Sequence, residues 1–167
     1  LILIGGLGFT VWADIKHNKL YFKKYTLHTK IVVVSSIVLV VVPTILFMYF
    51  EREGVEAGMP FADRFITSLF AAVTPRTAGY NTVDLGAMTQ ASKLLTIILM
   101  FIGGCPGSTA GGVKTTSIVI IMVYIWSNLR NASGCNIYGR RLADEDIKKA
   151  SMVIGLNLIM AVAALLI

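Results

Sequence analysis

The sequence predicts an all-α integral membrane protein, and three observations carry that expectation. First, only 14% of its 167 residues are charged and 56% are hydrophobic, whereas soluble domains carry roughly 25% charge. Second, the apolar residues gather into uncharged runs. Residues 31–50 alone give twenty uncharged positions, enough to cross a hydrocarbon core of about 30 Å. Third, the charge between the runs alternates in sign. Lys16, Lys19, Lys23, Lys24 and Lys30 face a single acid, Asp14, before the first long run. Glu51, Glu53, Glu56 and Asp63 outnumber Arg52 and Arg64 after it, and Arg130, Arg140, Arg141, Lys148 and Lys149 follow the next. Basic loops on one side and an acidic loop on the other form the positive-inside pattern.

That arrangement also accounts for the net charge of +6 without nucleic acid, since no nucleic-acid motif surrounds the lysines. Cys105 and Cys135 make no disulfide framework, and His17 and His28 make no metal site. The chain opens on Leu1 and closes on Ile167 within an apolar run, so it reads as an internal piece of a longer protein.

The elements follow in order. Residues 1–13 read as the end of a helix leaving the membrane, with Gly5, Gly6 and Gly8 near its end and Trp12 at the interface. Residues 14–28 form a cytoplasmic loop. An outer helix occupies 29–50, where Pro43 is tolerated as it is in spanning helices and Phe47, Met48, Tyr49 and Phe50 close the run as an aromatic collar. Residues 51–62 lie outside. The segment FITSLFAAVTP, 65–75, is too short to span. With Asp63 as its cap, residues 62–73 form either a surface amphipathic helix or a re-entrant half-helix, followed by a loop over 74–82.

Residues 94–129 are uncharged except for Lys114, and as one helix they would reach about 54 Å. Their middle cannot stay helical: residues 103–112 hold five glycines and a proline. An inner helix over 92–129 is therefore broken at 103–112, and irregular backbone at that depth survives only when buried in protein or lining a wet cavity. Residues 130–149 return to the cytoplasm, and 150–167 start the next span.

Two segments carry the chemistry. The glycine-rich break resembles the spacing of a phosphate-binding loop from Gly107 to Gly112, but Val113 places Lys114-Thr115 one residue late. A structural kink and a gating loop in a pore remain as readings. The second segment is TPRTAGYNT, 74–82. Thr-x-Gly-Tyr suits a potassium filter, where successive carbonyls replace the hydration shell of the ion and glycine permits the backbone this demands. A preceding half-helix would aim its negative C-terminal end toward the pore. An ordinary extracellular turn is the alternative. Arg76 is expected to brace this loop through a carboxylate, Asp84 to be an exposed turn carboxylate, with attraction of cations to the outer mouth as the alternative, and Lys114 either to snorkel or to anchor the gate loop.

TPRTAGYNT together with FIGGCPGSTAGGVKTT (101–116) resembles the ion-conducting subunits of the Trk/Ktr/HKT superfamily of potassium transporters, the Ktr type above all. LHTK at 27–30 and GGLGF at 5–9 fit the same family. The resemblance implies four linked repeats of outer helix, pore loop and inner helix, of which residues 1–13 end the second, 29–129 make the third and 150–167 begin the fourth. It implies a filter strand at Thr77, Ala78, Gly79 and Tyr80. It implies a gate loop at Gly103, Gly104, Cys105, Pro106, Gly107, Ser108, Thr109, Ala110, Gly111 and Gly112. It further implies a homodimer of the full-length subunit, held in the cell membrane against a cytosolic nucleotide-binding regulatory subunit.

The expected function is potassium transport through a channel-like pore, passive or sodium-dependent, with no organic cofactor and no metal beyond the transported K+. A secondary ion-coupled transporter with its substrate at the discontinuous helix is the alternative. An enzyme is disfavoured, because the spans contain no paired acids, histidine cluster or nucleophile–base pair.

Overall fold

The computed structural model describes residues 2–18, 21–76, 78–80, 83–108, 111–130, 136–137 and 140–166. Among the described residues seven α-helices follow one another: α1 Ile2–Gly6, α2 Phe9–Asn18, α3 Leu27–Phe50, α4 Phe61–Val73, α5 Gln90–Phe101, α6 Thr115–Leu129 and α7 Asp144–Leu166. A short 3-10 turn, Phe22–Lys24, precedes α3. Among the described residues the extended structure amounts to one antiparallel pair of two-residue strands, β1 Asn136–Ile137 and β2 Arg140–Arg141, and one isolated bridge. The fold is otherwise all-α.

Helix α3 is the longest apolar rod, and its 24 residues reach about 36 Å. Its buried positions Thr29, Val32, Ser35, Pro43, Thr44 and Phe47 recur at helical spacing. Val34, Ile37, Val38, Val41, Ile45 and Tyr49 form the exposed stripe opposite. Pro43 sits inside the helix. One residue on, the Thr44 hydroxyl donates to the Val40 carbonyl, four residues back, at 2.7 Å. Residues 27–50 and 144–164 are each long and apolar enough to cross a membrane. Neither α5, of 12 residues, nor α6, of 15, is long enough alone.

Two apolar clusters hold the helices together. Phe47, Ala72, Met88 and Leu99 join α3, α4 and α5. Val11, Val32 and Cys105 join α2, α3 and the break after α5. Lipid tails are as apolar as these side chains, so in a bilayer such contacts act through close packing rather than water expulsion. Directional polar contacts therefore decide how the helices sit.

Several boundaries differ from the sequence expectation. The first segment is two helices, α1 and α2, hinged at Leu7–Gly8, where Gly8 has φ +85°. Helix α2 runs to Asn18, into the expected loop 14–28. Helix α3 starts at Leu27, not residue 29, because the Thr26 side chain caps it by accepting from the Thr29 N–H. Helix α4 starts after Pro60, not on an Asp63 cap, and Asp63 lies within its first turn, where its charge still suits the helix dipole. Helix α5 starts at Gln90 rather than residue 92. Within the expected loop 130–149 lie the strand pair and the first turn of α7, which begins on Asp144, Glu145 and Asp146.

Candidate functional site

Helix α4 ends at Val73, and the chain turns back beneath it. The N–H groups of Ala78 and Gly79 both donate to the Thr74 carbonyl at 3.2 Å, and that of Arg76 donates to Val73 at 3.2 Å. Gly79 has φ +71°. A Cβ there would meet nothing within 4 Å, so the demand for glycine comes from the backbone angle and not from crowding. Among the described residues, no N–H donates to the carbonyls of Ala78, Gly79 or Tyr80. These three residues line a cavity of about 350 Å³ that is also walled by Phe70 and Thr74 near the end of α4 and by Thr96 and Met100 of α5. Tyr80 is 71% exposed. Thr77, expected as the first filter residue, lies outside the described residues.

The helix break is a closed-neck loop. Ile102 and Val113 lie side by side as a parallel bridge. The Gly103 N–H donates to Val113 at 3.0 Å, Val113 to Phe101 at 3.2 Å, and Thr115 to Gly104 at 3.1 Å. The Thr115 hydroxyl adds a bond to the Gly103 carbonyl at 3.0 Å. At the neck a Cβ on Gly103 would overlap the Gly111 carbonyl oxygen, and Gly112 has φ +74° with its own Cβ position 3.0 Å from the Gly103 Cα. Two backbones cross where no side chain fits. Helix α5 ends at Phe101 and α6 starts at Thr115, so the break is slightly wider than the expected 103–112. Thr109 and Ala110 lie outside the described residues.

This loop docks on the α1–α2 hinge. The Cys105 N–H donates to the Gly6 carbonyl at 3.1 Å, and the Phe9 N–H to Gly107 at 3.4 Å. A Cβ on Gly8 would come within 2.6 Å of the Pro106 oxygen. GGLGF and GGCPG are therefore two halves of one contact. The Ser108 hydroxyl and N–H both return to the Cys105 carbonyl. The N–H groups of Gly103, Cys105, Ser108 and Val113 all donate within the chain, so these four are not free to cradle a phosphate. Lys114 is the residue before α6, and its carbonyl accepts from Ser117 at 2.9 Å; it anchors the restart of the helix through its main chain.

Sequence reasoning missed the polar cluster around the turn after α3. Glu51 and Glu56, read as solvent-facing loop acids, are only 1% and 3% exposed. One Glu51 oxygen accepts from the N–H and the hydroxyl of Thr89, both at 2.9 Å, and the other accepts from the Val55 N–H at 3.1 Å. Thr89 is the N-cap of α5. Burial pushes the Glu51 carboxyl up, but hydrogen bonds from Ser92, Thr89 and Val55 outweigh it and hold the group below the usual carboxylate range. Glu56 accepts from the Ser68 hydroxyl at 2.5 Å and pairs with Arg64 Nε at 3.3 Å. Arg64 also donates to the Met48 carbonyl. Arg64 thus has a carboxylate partner. Arg76 is 7% exposed and lies beside Gly6 and Gly104. A signal was present in the sequence: Thr89-x-x-Ser92 before an apolar run reads as a helix start. Asp84 accepts from the Gly86 N–H in an exposed turn.

A family model described as TrkH, cation transport protein, matches residues 1–167. The potassium/sodium uptake protein NtpJ of Enterococcus hirae is 36% identical over all of this chain and 37% of its own length. The Ktr system potassium uptake protein B of Bacillus subtilis is 35% identical over 92% of this chain and 35% of its own. The crystal structure of the potassium transporter TrkH from Vibrio parahaemolyticus superimposes with a TM-score of 0.70 at 20% identity, covering 90% of this chain and 33% of that one; it shares the fold. The chain spans just over a third of the length of these curated relatives.

Proposed function

Since the chain belongs to the TrkH family of cation transport proteins, we propose that α4 with residues 74–80 forms one filter quarter of a potassium-conducting pore in the cell membrane. In this reading α3 is an outer helix, α4 a re-entrant pore helix, and α5 and α6 the halves of an inner helix. The observation that carries it is Gly79. Directly after a helix too short to span, it has φ +71°, and the neighbouring carbonyls accept no hydrogen bond from the described residues. Carbonyls free of main-chain partners are what a dehydrated cation requires. The names of the relatives support potassium with sodium as coupled or competing ion. Three relatives are named as parts of a Ktr system, which supports a multi-component assembly; a homodimer and a cytosolic nucleotide-binding subunit belong to this proposal.

In the same reading residues 103–112 form the gate loop. Its neck is tied by main-chain bonds, and in this reading the loop is released when Cys105 and Gly107 part from the α1–α2 hinge. A secondary transporter would instead need unwound main chain open to substrate at this break; the N–H groups of Gly103, Cys105, Ser108 and Val113, which donate within the chain, favour the gate reading. The full-length protein should restore potassium uptake in uptake-deficient cells. Deleting residues 105–110 should raise flux and weaken its dependence on the cytosolic subunit, with ion preference retained. Well-inserted deletion protein with normal, fully regulated flux would sink the gate assignment, and absence of potassium uptake by the parent would sink the pore.

A further inference from the structure

We infer that Glu56 is a positioning residue for the filter: its buried carboxylate fixes the depth and rotation of α4, and through them the place of Gly79 and Tyr80. The inference deepens the pore reading and rests on it. Helix α4 has 13 residues and ends in the segment that presents the carbonyls. Its apolar grip lies toward its C-terminal half: Phe61, Phe65 and Ile66 are exposed, whereas Ala72, with half-buried Ala71 beside it, packs into the cluster with Phe47, Met88 and Leu99. Contacts of that kind are non-directional and leave a short helix able to slide or roll.

The polar contacts remove that freedom. Ser68, fully buried, lies one turn before Ala72 on the same face and donates to Glu56 at 2.5 Å. Arg64, one turn earlier again, pairs with the other Glu56 oxygen and reaches the Met48 carbonyl of α3. Three consecutive turns of α4 are thus registered against the end of α3. Hydrogen bonds lose strength steeply with misalignment, and charge-assisted ones are the stronger class. The partner is itself immobile. Glu51 binds the Val55 N–H next to Glu56 and, at its other oxygen, the cap of α5. A Cβ at Gly54 would overlap the Glu51 oxygen that accepts from Val55, so a larger residue there would displace that carboxylate. The turn from Glu51 to Met59 therefore references α4 to α3 and α5 together.

A support of this kind acts on ion preference, whereas a merely structural one acts only on the amount of folded protein. The test uses the full-length protein in uptake-deficient cells, with potassium and sodium uptake normalised to protein in the membrane. Ser68→Ala and Glu56→Ala should each raise the KM for potassium and lower the potassium-over-sodium preference, by about tenfold, since misplacements near 1 Å at a preorganised site carry costs of that order or more. Glu56→Gln keeps an acceptor for Ser68 and should fall between. Should Glu56→Ala fail to accumulate, Ser68→Ala, which removes one hydroxyl, decides alone. Parental KM and preference in Ser68→Ala, whatever its abundance, overturn the positioning role. Gly79→Ser is measured alongside. If it shifts preference while Ser68→Ala does not, positioning fails and the pore reading stands; if neither shifts it, both fail.

Discussion

Gly79 carries its conformation without help from its surroundings. With open space around its Cβ position and φ +71°, any other L-residue incurs the left-handed penalty, about 1–2 kcal/mol. Gly79→Ser and Gly79→Asp should therefore leave membrane insertion intact and reduce potassium conduction or preference. Wild-type uptake and selectivity in both variants would mark Gly79 as an ordinary turn residue. Gly103 is the opposite case, fixed by crowding against Gly111 and not by its angle. Gly103→Ala must spread the neck of the break, so its expected phenotype is loss of inserted protein, read by the amount surviving detergent extraction. Thr-Ala-Gly-Tyr made the first glycine legible in the sequence, and five glycines in ten residues made the second. Neither pattern distinguishes the two reasons, which only the neighbours of each Cβ reveal.

At the scale of elements, one device recurs at the starts of α3 and α5. Thr26 and Thr89 each accept the N–H three residues on, from Thr29 and Ser92, at 3.3 Å. Each also donates its own N–H and hydroxyl to a carboxylate, Asp14 for Thr26 at 3.0 and 2.9 Å and Glu51 for Thr89. A negative group at a helix N-terminus complements the dipole. Hydrogen bonding led by the Thr29 hydroxyl, then by the Thr26 N–H, holds the Asp14 carboxyl at about 2 rather than 3.8. A depressed carboxyl stabilises the fold above its unfolded value near 3.9 and loses that contribution as pH falls through its folded value. Asp14→Asn should thus lower the thermal unfolding midpoint at pH 7 and flatten its pH dependence between about 4 and 2. An unchanged midpoint would mean that Asp14 does not clamp α3. The Thr-x-x-Ser and Thr-x-x-Thr starts could be read locally; their carboxylate partners, 38 and 12 positions away, could not. The start of α7 was misplaced for a related reason. Asp144, Glu145 and Asp146 interrupt the apolar run, yet acids favour a helix's first turn.

For the whole molecule, the charge alternation sets the expected topology. A cysteine at Glu53, which is exposed, should react with an impermeant thiol reagent from outside. Cysteines at His17 and Ala143, also exposed, should react only after permeabilisation, and reversed labelling would invert the map. Glu56 would be a poor probe because it is buried. Helix α7 exposes Leu156, Ile159 and Met160, surface that needs lipid or further protein against it.

Membrane character, the long spans, the break in the inner helix and the TAGY segment followed from the sequence by itself. Each depends on chemistry carried within a short stretch of chain: apolar length against bilayer thickness, glycine and proline against helix, lysine against an outer face. The tertiary structure alone decided that the glycines at 103–112 close a neck, that the hinge at Gly6–Phe9 receives the loop tip, and that two loop acids are buried supports. Glu56 and Ser68 are twelve positions apart on different elements, and α3, the turn and α4 must all be in place before they meet. Charge counting places a glutamate on a side of the membrane; it contains no term for what that glutamate touches.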